Sequence, residues 1–312
     1  MEGCFEMKFR TQKLFPQIFF SILLLSGCGG GGSTSSVTVA PFVSYSQVGT
    51  NTSVTVENGI SNEGDYTYNV GALTLTSLTN LQAGQSGAKV VVSYDSSSDL
   101  GTATLTTAGG TSISWNSASD TFGTLLINNN VEVAASANGE NYTLIANPYN
   151  FGWNYQTFGT WLTGAGTGSG KVGNYSIGSP TIGASIPTTG TATYTGATGG
   201  RYATAAGLDY FVSSSLTATA NYATRSVALT STSSVGTRDL LAQSSLNAVD
   251  FTGSMTYAAA TNSLTGTITT TGGLSGTVKG QFYGPGANEL GGSFTATGAG
   301  LETFSGAFGA KK

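Results

Sequence analysis

The sequence predicts an all-β protein with two parts, an N-terminal β-rich handle domain followed by a C-terminal eight-stranded antiparallel β-barrel. Three observations support this fold class. Only 8% of the 312 residues are charged while 46 are glycine and aromatic residues are frequent, which is not the composition of a disordered chain. Short runs rich in Thr, Val, Tyr and Phe alternate with turn residues. We find no run with the apolar spacing of an amphipathic helix.

The predicted barrel occupies the last two fifths of the chain. Eight tilted strands close a barrel that is just wide enough for side chains to fill, and closure removes exposed strand edges. We therefore expect a packed interior, so that a ligand would bind outside, on loops. The eight predicted strands are residues 191–196, 210–221, 225–231, 246–257, 263–270, 274–283, 289–297 and 302–308.

The handle domain is predicted over residues 37–162, where several strand–turn–strand patterns occur. One pattern in this domain is a strand at 88–94, a polar turn at 95–99 and a strand at 100–106. Similar hairpins are predicted in the barrel, at 216–230 and 253–269. Residues 163–186 are rich in Gly, Ser and Thr and are interpreted as a connecting segment. Its stretch Gly164–Val172 resembles a phosphate-binding loop but lacks the required Gly spacing and the Ser or Thr after the lysine.

Aromatic residues alternate along Tyr149-x-Phe151-x-Trp153-x-Tyr155 and predict one strand with four rings on the same face. Two interpretations remain open. The rings form the core of the handle domain, which we favour, or they form a stacking platform for a sugar, a porphyrin or a partner protein.

The N-terminus has the features of an export signal. Lys8, Arg10 and Lys13 precede an apolar run at 18–25 that is too short to span a bilayer. The tetrad Leu25-Ser26-Gly27-Cys28 resembles a bacterial lipobox. Residues 1–27 are therefore predicted to be a lipoprotein signal peptide, and residues 28–36 to be an acylated Cys28 with a Gly/Ser tether. By analogy with bacterial lipoproteins, the glycine after Cys28 favours the outer membrane, facing either the periplasm or the cell surface.

The composition argues against several kinds of chemistry. The chain has no histidine, which excludes His-ligated zinc or haem and Ser-His-Asp catalysis. Cys28 would be the one cysteine left after processing, so we expect no disulfide and no thiolate metal site. Asp95-x-Ser97-x-Asp99 lacks the rest of a calcium loop. The expected mature net charge is −5, since residues 1–27 carry three basic and two acidic residues. We expect no enzyme activity, no cofactor and no nucleic-acid partner.

The longest predicted barrel loop, Thr232 to Asn247, contains the candidate binding residues. Arg238, Leu240 and Leu241 could form a small apolar contact patch with a charged rim. The alternative is a short helical turn that packs the two leucines onto the barrel. Of the two interpretations, we favour packing of the leucines onto the barrel.

The C-terminus also resembles a known family. The motif is Phe282-Tyr283-Gly284-Pro285-x-Ala287-x-Glu289-x-Gly291-Gly292-x-Phe294, followed by Gly306–Lys311. It is similar to the signature of transferrin-binding-protein-B-like bacterial surface lipoproteins, a family that includes factor H-binding proteins and solute-binding relatives. The resemblance implies a β-barrel domain over residues 187–312.

The same resemblance implies a non-enzymatic binding module on the outer membrane that captures a protein or small-nutrient ligand. In some relatives the captured ligand is an iron carrier or haem protein, which is passed to an outer-membrane receptor; a lipoprotein-export barrel is a further expected partner. The alternative is a structural surface protein or adhesin without a transport role.

Overall fold

The chain forms two antiparallel sheets in a computed structural model that describes residues 9–10, 53–72, 74–94, 100–125, 130–238 and 242–312. The all-β prediction is confirmed. Among the described residues, no helix combines the length and apolarity needed to cross a membrane.

The first sheet, here called the handle sheet, is an open, curled sheet of eleven strands. Its hydrogen-bonded order is β1-β7-β8-β9-β10-β11-β2-β4-β5-β6, with β3 paired to β2. The strands are β1 (Phe9–Arg10), β2 (Ser53–Asn69), β3 (Thr74–Thr79), β4 (Gln85–Tyr94), β5 (Leu100–Thr106), β6 (Ser112–Asn116), β7 (Thr121–Leu125), β8 (Val131–Ala135), β9 (Tyr142–Ala146), β10 (Gln156–Leu162) and β11 (Ser169–Gly178).

The second sheet closes on itself. Its order is β13-β12-β20-β19-β18-β17-β16-β14-β15, and a further β13–β14 pairing completes an eight-stranded barrel beside the two-residue β15. Two short 3₁₀ turns, Gly183–Ser185 and Asn247–Val249, precede β12 and β16. The strands are β12 (Thr191–Ala203), β13 (Asp209–Asn221), β14 (Ser226–Thr237), β15 (Ser244–Ser245), β16 (Phe251–Thr256), β17 (Leu264–Thr270), β18 (Ser275–Tyr283), β19 (Glu289–Thr297) and β20 (Thr303–Lys311).

All eight predicted barrel strands are present, and the interior is filled as expected. Its largest side chains include Phe251, Phe294 and Phe304, which are at most 2% exposed and whose ring centroids lie 4.9–6.4 Å apart. The strand β12 is longer than predicted, because Gly199 and Gly200 continue the ladder to β13 and β20 rather than ending it.

The glycines of β19 and β20 make room for side chains on a continuous ladder. On the interior face, Phe294 pairs across the strands with Gly306, and Phe308 pairs with Gly292. A Cβ at Gly306 would lie 2.5 Å from the Phe294 ring. Each ring therefore lies over a glycine of the neighbouring strand, an arrangement that favours this register.

Two sequence predictions were wrong in the region that joins the sheets. Residues 169–178, expected within a connecting segment, form β11, a strand inside the handle sheet between β10 and β2. Its last six residues, 173–178, are all buried, so Gly and Ser there provide close packing instead of flexibility.

The aromatic run at 149–155 begins as a helical turn, α1 (Pro148–Phe151), and not as a strand. The Asn147 side chain accepts hydrogen bonds from the first free backbone N–H groups, proline occupies the first turn, and Gly152 ends it with φ of 64°. Cap, proline and terminal glycine together outweigh the alternating pattern.

The handle sheet packs its face against the barrel wall formed by β18, β19, β20 and β12. Every residue of β10 is buried, and so are the first eight residues of both β19 and β20, whose outer faces meet the handle sheet. We call this contact the junction.

Polar side chains join the two sheets across the junction. Asn174 Nδ2 lies 2.8 Å from Ser305 Oγ and 2.9 Å from Asn62 Oδ1. Asn62 Nδ2 in turn donates to the Phe294 carbonyl at 2.9 Å. Since these groups are buried, their hydrogen bonds fix how the handle sheet is aligned on the barrel.

Candidate functional site

A cleft with a volume of about 370 Å³ opens beside the junction, between β8, β9, β10 and α1 on the handle side and β12, β13 and β14 on the barrel side. Small-molecule sites span roughly 300–1,000 Å³. The cleft is thus large enough for a small ligand, or for one anchoring side-chain cluster of a protein partner.

Two phenylalanines form its handle wall. Phe151 stacks on Trp153 with 4.3 Å between ring centroids and 8° between ring planes, and Trp153 contacts Phe158 at 5.7 Å. A Cβ at Gly199 would lie 3.1 Å from the Phe158 ring, so the absence of a side chain there lets the two sheets approach. Phe151 and Phe158 both line the cleft.

The four aromatic residues of the run therefore have different environments, whereas their alternation predicted one shared face. Trp153 is 2% exposed and packs in a cluster with Phe158 and the barrel residue Ala307, which favours the core interpretation, although this core lies at the junction. Tyr149 is 66% exposed. The four rings do not share one face.

Hydroxyl groups line the barrel wall of the cleft. Alternation along β13 directs Ser213 and Ser215 outward, and both line the cleft together with Ser233 of β14. The β13–β14 ladder changes register between Ser213 and Ser215, and Ser233 has φ of 59°. This bulge widens the strand pairing where the cleft lies.

A largely buried ion pair lies beside Phe211, a residue of this wall. Arg201 and Asp209 form a salt bridge in which their side chains are 17% and 10% exposed. The Arg201 guanidinium lies 4.8 Å from the centroid of the Phe211 ring, and its Nη1 donates to the Tyr142 hydroxyl at 3.1 Å. The charge of Arg201 is thus already compensated within the protein.

The pKa directions agree with this geometry. Burial opposes the charge of Arg201, but Asp209 and the Tyr142 hydroxyl beside it raise the pKa of the guanidinium above its ordinary value. Burial raises the pKa of the Tyr142 hydroxyl, and Arg201 offsets part of that rise. Both groups therefore keep their ordinary protonation at neutral pH.

The candidate binding residues of the sequence lie next to the cleft along the chain. The predicted loop begins later than expected, because β14 continues to Thr237. Thr237 and Gln243 both line the cleft. Arg238 is exposed with its guanidinium carbon 6.0 Å from the Tyr210 ring centroid, whereas Leu240 and Leu241 lie outside the described residues.

Several other predictions also fall outside the described residues. These are the signal peptide apart from residues 9–10, the acylated Cys28 with its tether, and the turn at 95–99. In the part of the chain that the structure describes, His, Cys, Asp and Glu side chains form no cluster of three or more that could hold a metal ion.

The sequence reasoning missed the serines of the cleft. A usable signal lies in Ser214, which takes an inward position where β13 otherwise has Val212 and Leu216. Its hydroxyl lies 2.7 Å from that of Ser231. A polar residue at an inward position, with small residues on either side of it, interrupts the apolar alternation of the strand. Such an interruption indicates that this part of the barrel wall is packed differently from the rest.

The comparison with protein families decides the nature of the barrel. Residues 186–312 match the family described as the C-lobe and N-lobe beta barrels of Tf-binding protein B. The barrel belongs to this family. The match covers the eight barrel strands and includes the C-terminal motif.

Solved structures of the family were found as well. Transferrin binding protein B from Haemophilus parasuis, a mutant form, is 16% identical over 76% of this chain and 46% of its own, with a TM-score of 0.43. The protein from serogroup B Neisseria meningitidis is 18% identical over 81% of this chain and 43% of its own, with a TM-score of 0.41. The present chain thus spans less than half the length of these two structures. No curated protein matches it.

Proposed function

We propose that this protein is an outer-membrane lipoprotein, anchored by acylation of Cys28, that acts as a non-enzymatic binding module and captures a protein or a small nutrient. The observation that carries the proposal is the family match of a barrel whose interior is filled by its own side chains. A filled barrel offers its outer surface for binding, and the named relatives are binding proteins for transferrin.

The contact with a protein ligand is assigned to the loop after β14. Arg238 is exposed there, and Leu240 and Leu241 follow it in the sequence. An arginine beside apolar side chains is a common composition for an interface hot spot. Thr237 and Gln243, which precede and follow the two leucines in the sequence, both line the cleft.

The capture proposal is tested with the acylated full-length protein in detergent, immobilised and exposed to iron-loaded transferrin, haemoglobin, spent culture medium and outer-membrane extract. We expect saturable binding of one protein ligand. The double variant Leu240→Asp, Leu241→Asp should lose at least about 2 kcal/mol of binding free energy, the scale of an interface hot spot, and retain the wild-type melting temperature.

The matched control is Ala258→Asp, Ala259→Asp, which places the same two charges on an exposed turn at the opposite end of the barrel. This control should bind as the wild type does. A loss of thermal stability in the leucine variant would show that the leucines pack on the barrel. Absence of any ligand for the folded protein would favour the structural or adhesin role.

The membrane anchor has its own test. Cells expressing the wild type should incorporate labelled palmitate into the protein and retain it in the outer-membrane fraction, because several acyl chains bind a bilayer stably. Cys28→Ser should abolish both the label and the membrane retention. Equal labelling of the two forms would contradict the assignment of Cys28.

A further inference from the structure

We propose that the cleft between the handle sheet and the barrel is a binding site for an uncharged, polyhydroxylated small molecule, a neutral sugar of one or two rings. It rests on the proposed function only in treating the protein as a binding module. All the residues used below are described members of the cleft walls, and the loop leucines are not among them.

The charge of the ligand follows from the walls. None of the described residues that line the cleft is charged. The neighbouring guanidinium of Arg201 is committed to Asp209 and Tyr142. A carboxylate, phosphate or ammonium group would lose its hydration without gaining a counter-charge, which opposes its binding. The cleft therefore favours a neutral ligand.

The hydroxyl content of the ligand follows from the barrel wall. Ser213, Ser215 and Ser233 line the cleft. The backbones of Ser213 and Ser215 pair with the neighbouring strand β14, but the hydroxyl groups of the three serines form no hydrogen bond with another described residue. The amide of Gln243 lies on the same wall. Serine hydroxyls can donate and accept, as can sugar hydroxyls. A purely apolar ligand would bury these groups without partners.

The ring shape of the ligand follows from the opposite wall. On this handle wall, Phe151 has one face covered by Trp153, and Phe158 also contacts Trp153. Both phenylalanine rings also line the cleft. Flat apolar surfaces opposite a row of hydroxyls match the two chemistries of a pyranose, whose C–H faces are apolar and whose edge carries the hydroxyls.

Saturation-transfer NMR on the acylated full-length protein in detergent tests the assignment. The probes are glucose, galactose, N-acetylglucosamine, maltose and lactose, with glucuronate as the charged analogue of glucose. We expect transfer to at least one neutral sugar and none to glucuronate. Ser213→Trp, which fills the cleft from β13, should abolish the transfer.

The matched control is Thr217→Trp, which places the same ring on the same outward face of β13, at an exposed position outside the cleft; it should bind as the wild type does. If Ser213→Trp does not fold, Ser215→Tyr takes its place. The assignment is overturned if no neutral sugar shows transfer, if glucuronate binds as well as glucose, or if the cleft-filling variant binds normally. If the protein captures a protein ligand but binds no sugar, only this assignment is overturned. If it does neither, the proposed function is overturned as well.

Discussion

Strands β19 and β20 are buried on both faces, and the two faces are built from different chemistry. Toward the interior they present Phe294, Phe304 and Phe308, all fully buried. Toward the handle sheet they present hydroxyl, carboxyl and glycine positions such as Ser305, which bonds to Asn174. A strand pattern of period two thus encodes an apolar core and a polar junction on alternate residues.

The apolar face holds the barrel together, whereas the polar face sets how the handle sheet is arranged on it. Burial of aromatic rings is the larger and non-directional contribution. Each junction hydrogen bond contributes roughly 0.5–1.5 kcal/mol to stability in net terms. These bonds are directional, so a shift of the handle sheet on the barrel would leave their donors and acceptors without partners. We therefore expect interior changes to unfold the barrel and junction changes to release the handle sheet.

The largest expected effect is that of an interior change. Phe294→Ala removes a ring that contacts the rings of Phe251 and Phe304 at 4.9 Å each. It should lower the free energy of unfolding by about 3–5 kcal/mol, because it leaves a cavity that the closed barrel cannot collapse. Urea unfolding followed by circular dichroism measures this.

The exposed Val70, at 47% exposure, provides the reference. Val70→Ala should change the unfolding free energy by no more than about 0.5 kcal/mol. A Phe294 variant that is no less stable than this reference would mean that the interior is loosely packed.

A junction change should have a smaller and more local effect. Asn174→Leu loses the hydrogen bonds to Ser305 and to the Asn62 side chain and leaves those groups buried. The expected cost is about 1–3 kcal/mol. Hydrogen exchange should increase in β10 and β11 and remain slow in β16 to β18. Uniform faster exchange across the barrel would mean that the junction also holds the barrel together.

The smallest effect concerns pH. Glu289 is 2% exposed and accepts hydrogen bonds from the backbone N–H groups of Asn154 at 2.6 Å and Tyr155 at 3.1 Å. Burial raises the pKa of its carboxyl above the ordinary value, and those N–H groups offset part of the rise. The folded protein therefore binds this proton more tightly than the unfolded chain does.

The proton on Glu289 therefore stabilises the folded protein. This stabilisation is fully present below the ordinary pKa of the carboxyl group, which is that of the unfolded chain, and is lost as the pH rises through the raised pKa of the folded protein. The unfolding free energy of the wild type, measured relative to Glu289→Gln, should decrease across that interval and be constant above it. Urea titrations at several pH values measure the difference. An increase with pH would show that the N–H groups outweigh burial and lower the pKa instead.

Much of the barrel could be predicted from the sequence, because its strands are short, alternating and separated by Gly-rich turns. The eight strands and the C-terminal motif were found in this way. The handle region was harder. In β11, Gly173 looks like a linker residue, yet it lies against the Asn62 carbonyl of β2, and such a contact depends on a segment distant in sequence.

The candidate site could be predicted only in part. Arg238 belongs to a loop that the pattern of strands makes visible. The cleft itself needs Phe158 and Gly199 to meet across two sheets, and no local pattern predicts such a pair. The α1 turn shows a different limit, because the capping signal of Asn147 and Gly152 was present but was outweighed by the alternating aromatic residues.

The pairing of β12 with β20 has a consequence for biogenesis. It joins the first barrel strand to the last, so β12 keeps an unpaired edge until residues 303–311 have joined the sheet. Pairings between such distant segments form slowly, and an exposed strand edge invites association with other chains. We expect the folding chain to be prone to association through β12 until the barrel closes.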